Sequence, residues 1–218
     1  MDAQARATLD RLHRAARADY WKIARGIPAV LWGLLRCRGV EPSLIPYLDT
    51  AFIPVTRASG QYIFQVALAA RARNIIEFGT SYGISTIYLA AAARQNQGRV
   101  IGSEINPAKH ARATAHIQEA GLHDIVEIRL GDALQTLANV PDGVDFVLLD
   151  GWKNLYLPML NLLEPKLAPG AIIVADNIHT FRRMLRPYVE RMQAPGSGFF
   201  SVTVPIGEGM EFSTRIGS

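Results

Sequence analysis

The chain has 218 residues, of which 49% are hydrophobic and 19% are charged, proportions typical of one globular domain with an extension. Its single cysteine, Cys37, excludes an intramolecular disulfide and a cysteine-based zinc site. Residues 1–40 hold eight Lys and Arg against three Asp and Glu, a charge of +5, and the remaining residues carry −1, which gives the net charge of +4. The remainder is nearly neutral, so a broad basic surface for nucleic acid is not expected.

The N-terminal extension, residues 1–54, is predicted to begin with an amphipathic helix over residues 3–25, because apolar residues recur there at spacings of three and four. The apolar positions are Leu9, Leu12, Ala16, Tyr20 and Ile23, and the basic positions are Arg6, Arg11, Arg14, Arg17, Lys22 and Arg25. The apolar run over residues 27–35 is too short to span a bilayer. It also lies too far behind a long charged segment to be a signal peptide.

Two interpretations of residues 3–38 remain open. In the first, they form a helical layer that packs on the domain or on a partner in a homodimer. In the second, the basic helix makes a peripheral contact with a membrane. The single cysteine gives no sign of an oxidising compartment, so we expect a cytoplasmic protein, membrane-peripheral only under the second interpretation.

The main domain, residues 55–218, is predicted to open with a helix over residues 61–71 and a short apolar strand, residues 74–77, that ends in the acid Glu77. The strand leads into the turn Glu77-Phe78-Gly79-Thr80-Ser81-Tyr82-Gly83-Ile84-Ser85, and a helix is expected over residues 86–94. A strand, a glycine-rich turn and a helix N-terminus in that order are typical of a nucleotide-sized pocket, although a purely structural turn has the same pattern.

The spacing of this turn is Glu-x-Gly-x-x-x-Gly, which differs from the Gly-x-Gly-x-x-Gly of dinucleotide sites. A carboxylate at Glu77 would repel a phosphate but attract a ligand ammonium. The pattern therefore favours S-adenosylmethionine over NAD.

Four further strands are predicted over residues 99–105, 125–130, 144–149 and 171–175, with a helix over residues 107–120. Strands that alternate with helices indicate a doubly wound α/β fold with a mostly parallel sheet. The last two predicted strands, residues 199–204 and 210–216, form an antiparallel hairpin and complete a seven-stranded sheet. An acid follows or ends each of five strands: Glu77, Glu104, Asp132, Asp150 and Asp176.

These acids fall at the edge of the sheet where ligands of such folds bind. Glu104 has the length to accept both hydroxyls of a ribose. Asp132 is placed to accept from an adenine amino group, with the Ala133 N–H facing the ring. Acids at strand ends also cap helices, so each assignment alone is weak.

A second group, Asp150, Asp176 and Asn177, supplies two carboxylates and one amide oxygen. Oxygen ligands suit a hard cation, and Mg²⁺ is expected rather than Zn²⁺. Lys153 follows Asp150 by three residues, and a lysine beside a metal can act as a base. The alternatives are a surface ion pair for Asp150 and Lys153 and a simple turn at Asp176-Asn177.

Two aromatic side chains near this group have competing interpretations. Trp152 is either an apolar wall that orients an aromatic substrate ring or a core residue. His179 either lines the site or is a solvated loop histidine.

Residues 55–217 resemble the class I S-adenosylmethionine-dependent O-methyltransferases, and within them the catechol O-methyltransferase branch. Residues 77–85 resemble the first cofactor motif, and residues 104–107 match the ribose-binding segment. Residues 149–158, Leu-Asp-Gly-Trp-Lys-Asn-Leu-Tyr-Leu-Pro, resemble the segment with a metal ligand and the base. Residues 175–177 resemble the second metal segment, and residues 209–211, Gly-Met-Glu, the segment whose glutamate touches a substrate hydroxyl.

The resemblance implies a Rossmann-like methyltransferase fold with Lys153 as the catalytic base. It implies Mg²⁺ ligands at Asp150, Asp176 and Asn177, and substrate contacts from Trp152, Asn177 and Glu211. The residues expected near S-adenosylmethionine are Val55, Glu77, Gly79, Ser81, Gly83, Ser85, Glu104, Asp132, Ala133 and Asp150. The sequence departs from the family at Gly151, where the catechol enzyme has a histidine, and at Ser81, where it has an aromatic residue.

We therefore expect an Mg²⁺-dependent O-methyltransferase that acts on a small catechol-like, vicinal dihydroxy substrate. One alternative is a metal-independent methyltransferase of another small molecule. Another is a non-catalytic cofactor-binding subunit, attached to a membrane or a partner through the basic helix. A base at Lys153 argues against the latter, and the glycine spacing disfavours an NAD-dependent oxidoreductase.

Overall fold

The structure is a computed structural model that describes residues 1–16 and 55–217. Its strands form one seven-stranded sheet in the order β3-β2-β1-β4-β5-β7-β6. The strands are β1 Asn74–Phe78, β2 Arg99–Glu104, β3 Val126–Leu130, β4 Val144–Leu149, β5 Leu167–Ala175, β6 Phe199–Val204 and β7 Met210–Arg215. The helices are α1 (residues 3–16), α2 Arg57–Ala69, α3 Ile84–Gln95, α4 Pro107–Glu119, α5 Ala133–Thr136, α6 Tyr156–Leu163 and α7 Arg182–Gln193, with 3₁₀ turns at Lys153–Leu155 and Glu164–Lys166.

The central strands are apolar on both sides because helices cover both faces of the sheet. Alternate residues of a strand point to opposite faces, and Ile75 and Ile76 accordingly belong to two different core clusters. β1 pairs in parallel with β2 on one side and with β4 on the other. The sheet therefore reverses its winding between β1 and β4, and the turns after these two strands leave a crevice for a ligand.

The C-terminal hairpin confirms the predicted end of the sheet. β7 lies between β5 and β6 and is antiparallel to both. Since β7 runs against β5, the loop that precedes it, residues 205–209, reaches the same edge as the carboxyl end of β5. Two main-chain hydrogen bonds, from Ile178 N to Gly209 O and from His179 N to Glu208 O, join this loop to the segment after β5.

Helix α1 belongs to the core. Its apolar residues Leu9, Leu12 and Ala16 are buried in the same cluster as Ile75 of β1, so its apolar side already has a partner within the chain. The remainder of the helix predicted over residues 3–25 and the apolar run over residues 27–35 lie outside the described residues. The predicted membrane or dimer contact through residues 3–38 therefore stays a prediction. Within the described part, no helix has the length and apolarity needed to cross a membrane.

Most predicted boundaries are correct to within two residues, but two elements begin earlier than predicted, and three helices, among them α5 and α6, had no predicted counterpart. Helix α2 begins four residues early because Thr56 caps it by accepting a hydrogen bond from Ser59 N at 3.0 Å. β5 begins at Leu167 rather than at residue 171. Helix α7 had no predicted counterpart, although its buried residues Leu185, Tyr188 and Met192 recur at helical spacing.

Candidate active site

A cavity of about 500 Å³ opens at the carboxyl ends of the parallel strands. It brings together eleven of the predicted site residues, contributed by six different loops and helix starts. These are Val55, Gly79, Ser81, Ser85, Glu104, Asp132, Ala133, Asp150, Trp152, Lys153 and Asn177. Four predicted site residues do not line it: Glu77, Gly83, Asp176 and Glu211.

The glycine-rich turn approaches the loop after β4 so closely that only glycine fits. Gly79 has a φ of +98°, and a Cβ there would lie 2.6 Å from the Cα and N of Gly151. The turn is fixed to β2, because the N–H groups of Gly79 and Thr80 both donate to Ser103 O, at 3.2 and 3.1 Å. Gly83 has a φ of +82° as the N-cap of α3, so its role in the structure is to start that helix.

Glu77 does not reach the cavity, so the expectation that it attracts a ligand ammonium is not met. Its carboxylate is sealed beneath the turn and accepts hydrogen bonds from Thr80 Oγ1 at 2.9 Å and Thr86 Oγ1 at 2.6 Å. Burial raises the pKa of Glu77 to about 7, while the hydroxyls of Ser85, Thr86 and Thr80 act in the opposite direction. The residue ties the turn to the first turn of α3.

Glu104 lines the cavity with its carboxylate held by main-chain donors. Oε2 accepts from Ser81 N at 2.7 Å, and Oε1 accepts from Asn106 N at 2.8 Å. A carboxylate oxygen has two lone pairs, so each oxygen keeps one acceptor site. The arrangement fits a group that accepts from two neighbouring ligand hydroxyls.

Asp132 lines the cavity but also has a structural role. Its Oδ1 accepts from Leu134 N at 2.9 Å and so caps the short helix α5, which is the alternative that strand-end acids allow. Ala133 follows it on the cavity wall. The contact of these two residues with an adenine ring stays a prediction.

Asp150 and Lys153 meet on the cavity wall. Lys153 Nζ lies 3.3 Å from Asp150 Oδ1, and their side chains are only 10% and 19% exposed. Burial raises the pKa of Asp150, and the charge of Lys153 acts in the opposite direction. The pair is enclosed, so the interpretation as a surface ion pair does not apply.

Asp176 is buried beside this pair and holds its neighbour Asn177 in place. Its Oδ1 accepts from Asn177 N at 2.7 Å, and Asn177, which lines the cavity, has a φ of +66°. Burial and repulsion from Asp150 raise the pKa of Asp176 to about 7. Two carboxyl groups that repel each other in a poorly hydrated place are the arrangement that a bound cation stabilises.

The oxygen atoms of Asp150, Asp176 and Asn177 are the type of ligand that a hard divalent cation prefers. Among residues 1–16 and 55–217, no three His, Cys, Asp or Glu side chains cluster in a way that would hold a metal. The candidate set of Asp150, Asp176 and Asn177 has two carboxylates and an amide, and it would leave further positions to water and a ligand. Zinc, which prefers nitrogen and sulfur, is not favoured here.

Trp152 and Gly151 shape the wall next to this group. Trp152 is partly buried, packs against the core cluster on the α6 side and also lines the cavity, so its role as a wall for a substrate ring stays a prediction. A Cβ on Gly151 would lie 2.4–2.6 Å from atoms of the Phe78 ring. Phe78 therefore fills the space in which the resembled family carries a histidine side chain.

The structure does not bring Glu211 to the cavity, which corrects its assignment as a substrate contact. Its side chain is fully buried on β7 and accepts from Gln193 Nε2 at 2.8 Å, from Ser201 Oγ at 2.5 Å and from Thr203 Oγ1. Glu208 lines the cavity instead, where it accepts a hydrogen bond from Thr180 Oγ1 at 2.6 Å.

Other lining residues were also missed by the sequence reasoning, among them Lys109, Thr180 and Phe181. The hairpin topology was the available signal for Glu208, because a loop before an antiparallel neighbour of β5 must return to the ligand edge. His179 is exposed and does not line the cavity, which agrees with a loop histidine.

Comparisons with known proteins agree with this architecture. A family model described as a methyltransferase domain matches residues 76–178. A catechol O-methyltransferase of Mycobacterium tuberculosis is 37% identical over 148 residues, which cover 64% of this chain and 66% of the relative. This chain thus spans just under two thirds of that protein's length.

Two further comparisons extend the similarity. A catechol O-methyltransferase of Sus scrofa is 31% identical over 131 residues, covering 57% of this chain and 70% of the relative. The crystal structure of a cofactor-bound protein from MTB superimposes with a TM-score of 0.72 at 26% identity, covering 88% of this chain and 97% of that one. The seven-stranded fold is therefore shared with solved proteins along nearly their whole length.

Proposed function

We propose that this chain, which belongs to the catechol O-methyltransferase branch of the class I S-adenosylmethionine-dependent O-methyltransferases, methylates a hydroxyl group of a small vicinal dihydroxy compound. The proposed methyl donor is S-adenosylmethionine, and the proposed metal is Mg²⁺. The observation that carries this proposal is the Lys153 amine, 3.3 Å from the Asp150 carboxylate, on the wall of a cavity that the glycine-rich turn also lines.

The methyl donor occupies the part of the cavity formed by the turn and the carboxyl end of β2. Glu104 accepts from the two ribose hydroxyls, and Asp132 and Ala133 border the adenine. The turn at Gly79 and Ser81 lets the donor approach the main chain closely. The Glu-x-Gly-x-x-x-Gly spacing of residues 77–83 differs from the glycine spacing that binds the pyrophosphate of a dinucleotide, which supports S-adenosylmethionine as the ligand.

The acceptor occupies the part bounded by Trp152, Lys153 and Asn177. Asp150, Asp176 and Asn177 would hold the divalent cation, whose chemistry is to lower the pKa of a neighbouring hydroxyl. Trp152 forms an apolar wall for an aromatic ring. Glu208 lies at the cavity and is available to accept a hydrogen bond from the acceptor.

Lys153 removes the proton of the reacting hydroxyl as the general base. The acceptor oxygen forms a bond to the methyl carbon while the bond between that carbon and sulfur breaks. The electron pair of the broken bond goes to the positively charged sulfur. The products are a methyl ether, a neutral thioether and a protonated Lys153. The chain's contribution is mainly to hold the two reactants in line and to exclude water.

The proposal is tested by methyl transfer from labelled S-adenosylmethionine to a panel of small catechols, in Mg²⁺ and in excess chelator. We expect transfer that requires the metal. Full activity in chelator would remove Asp150, Asp176 and Asn177 from a metal role and favour a metal-independent methyltransferase. Donor binding without any transfer would exclude the proposed acceptor class.

A further inference from the structure

Tyr156 is buried next to Lys153, behind the wall of the candidate site, and the proposed mechanism does not use it. We propose that Tyr156 is a positioning residue that holds the Lys153 amine in the orientation a base needs. The inference rests on the proposed role of Lys153. The tyrosine side chain is fully buried, so it contacts neither solvent nor the acceptor, and it does not line the cavity.

The hydrogen bonds around Tyr156 have only one consistent direction. The tyrosine hydroxyl lies 3.1 Å from Asp176 O and 2.9 Å from Lys153 Nζ. A main-chain carbonyl can only accept, so the single O–H of the phenol is donated to Asp176. The phenol oxygen must therefore accept an N–H from Lys153.

This direction suits a lysine that has to take up a proton. A neutral amine has two N–H groups and one lone pair, and the lone pair receives the substrate proton. Tyr156 cannot donate to that lone pair, because its hydrogen is already committed to Asp176 O. The tyrosine thus orients the amine through its N–H while leaving the reactive lone pair free.

Tyr156 is also the closer of the two anchors. The contact from Lys153 Nζ to Tyr156 is 2.9 Å, against 3.3 Å to Asp150. Asp150 has a second use as a cation ligand in the proposed reaction, whereas the tyrosine has no competing partner on the Lys153 side. Lysine has a flexible four-carbon side chain, so one fixed acceptor matters for the placement of its amine.

The local fold explains how the two side chains meet. Lys153–Leu155 is a 3₁₀ turn, closed by the N–H of Tyr156 donating to Lys153 O. Side chains three residues apart eclipse in a 3₁₀ turn, so Lys153 and Tyr156 point the same way. The tyrosine ring is then fixed by edge contacts with Phe78 and Tyr188, at centroid distances of 6.4 and 5.6 Å.

The experiment replaces Tyr156 by Phe, which keeps the ring and removes only the hydroxyl. We expect kcat to fall between about tenfold and about 100-fold, because the Lys153 amine is no longer held in the position from which it removes the proton of the acceptor hydroxyl. KM for the acceptor and Kd for the donor should stay unchanged. In a Lys153→Ala background the same replacement should have no further effect, since there is no amine left to position.

The matched control is Tyr188→Phe. Tyr188 makes an edge contact with the Tyr156 ring and is also buried, but its hydroxyl has no hydrogen-bond partner within the described residues. Its removal should leave kcat unchanged. Equal losses in both tyrosine variants, or an undiminished loss on the Lys153→Ala background, would overturn the inference.

A crystal structure of Tyr156→Phe separates this inference from the proposed function. If the wild-type protein transfers no methyl group, the proposed function fails, but the position of Lys153 Nζ can still be compared between the two proteins. A displaced amine in the variant supports positioning by Tyr156. An amine that keeps its place beside Asp150 contradicts it.

Discussion

Two buried carboxylates, Glu211 and Asp176, lie at the same end of the sheet, and they differ in how completely they are hydrogen bonded. Glu211 pairs across the sheet with Ala175, the residue before Asp176. Glu211 is 0% exposed and accepts from three neutral side chains, whereas Asp176 is 4% exposed and accepts from one main-chain N–H beside the repelling Asp150. A carboxylate saturated by fixed donors stabilises the fold, and one left under-satisfied at a cavity is available to a ligand.

The comparison is tested most strongly by removing the charge of Asp150. Asp150→Asn should lower kcat by on the order of 10³-fold, because the cation loses a carboxylate ligand and Lys153 loses its ion pair. Steady-state methyl transfer at saturating Mg²⁺ measures the effect. Asp145→Asn is the matched control, since Asp145 is near the other end of β4 and, among the described residues, accepts from the N–H groups of Arg73 and Asn74. Comparable losses in the two variants would remove Asp150 from the chemistry.

Replacing the base should give the second largest effect. Lys153→Ala is expected to lower kcat by about 10²- to 10³-fold with the Kd of the donor changed less than about twofold. Single-turnover transfer and isothermal titration with S-adenosylhomocysteine measure the two quantities. Unchanged turnover would exclude Lys153 as the base.

Replacing Glu211, the carboxylate with three hydrogen-bond donors, should lower stability rather than activity. Glu211→Ala should lower the free energy of unfolding by about 3 kcal/mol, because the buried side chain and its hydrogen bonds with Gln193, Ser201 and Thr203 would be lost and a cavity would be left on β7. Urea unfolding measures this loss, and the folded fraction should keep its kcat. Glu208→Ala should behave in the opposite way, with stability nearly unchanged and a raised KM for the acceptor. A large kcat loss in Glu211→Ala at full folding would contradict this division.

Glu77 provides the smallest expected effect and an intermediate case. Its folded pKa is about 7 against an ordinary value of 4.5, so between these values the folded protein binds more protons than the unfolded chain. Stability from this group is therefore fully present below pH 4.5 and is lost as the pH rises towards and through 7. The wild-type protein should lose roughly 2 kcal/mol more between pH 5 and pH 7.5 than Glu77→Gln does. Parallel pH profiles of urea unfolding for the two proteins would show that Glu77 does not titrate in this window.

The sequence by itself determined the seven strands, helices α1 to α4, the order of these elements along the chain and the acids at the strand ends. These features depend on local patterns: apolar runs for β1, β2, β4 and β5, alternation in the hairpin, and glycines where the backbone turns. The doubly wound connection then places the strand ends at one edge, which is why Glu104, Asp150, Lys153 and Asn177 line one cavity. Helix α7 was missed because the segment after β5 was assigned no element, despite its helical spacing.

Only the tertiary structure decided which of these side chains reach the cavity. Residues alternate between faces along a strand, so Glu211 points into the α7 side of the sheet while Glu208, three residues earlier in the loop, reaches the cavity. Glu77 was expected to contact the ligand but is buried beneath the glycine-rich turn, and Asp132 caps helix α5. Tyr156 contacts Lys153 three residues away, but its hydrogen bond to Asp176 O joins residues that are twenty apart. Local patterns contain a residue's chemistry, but strand register and long-range packing determine which atoms are left without partners for a ligand to engage.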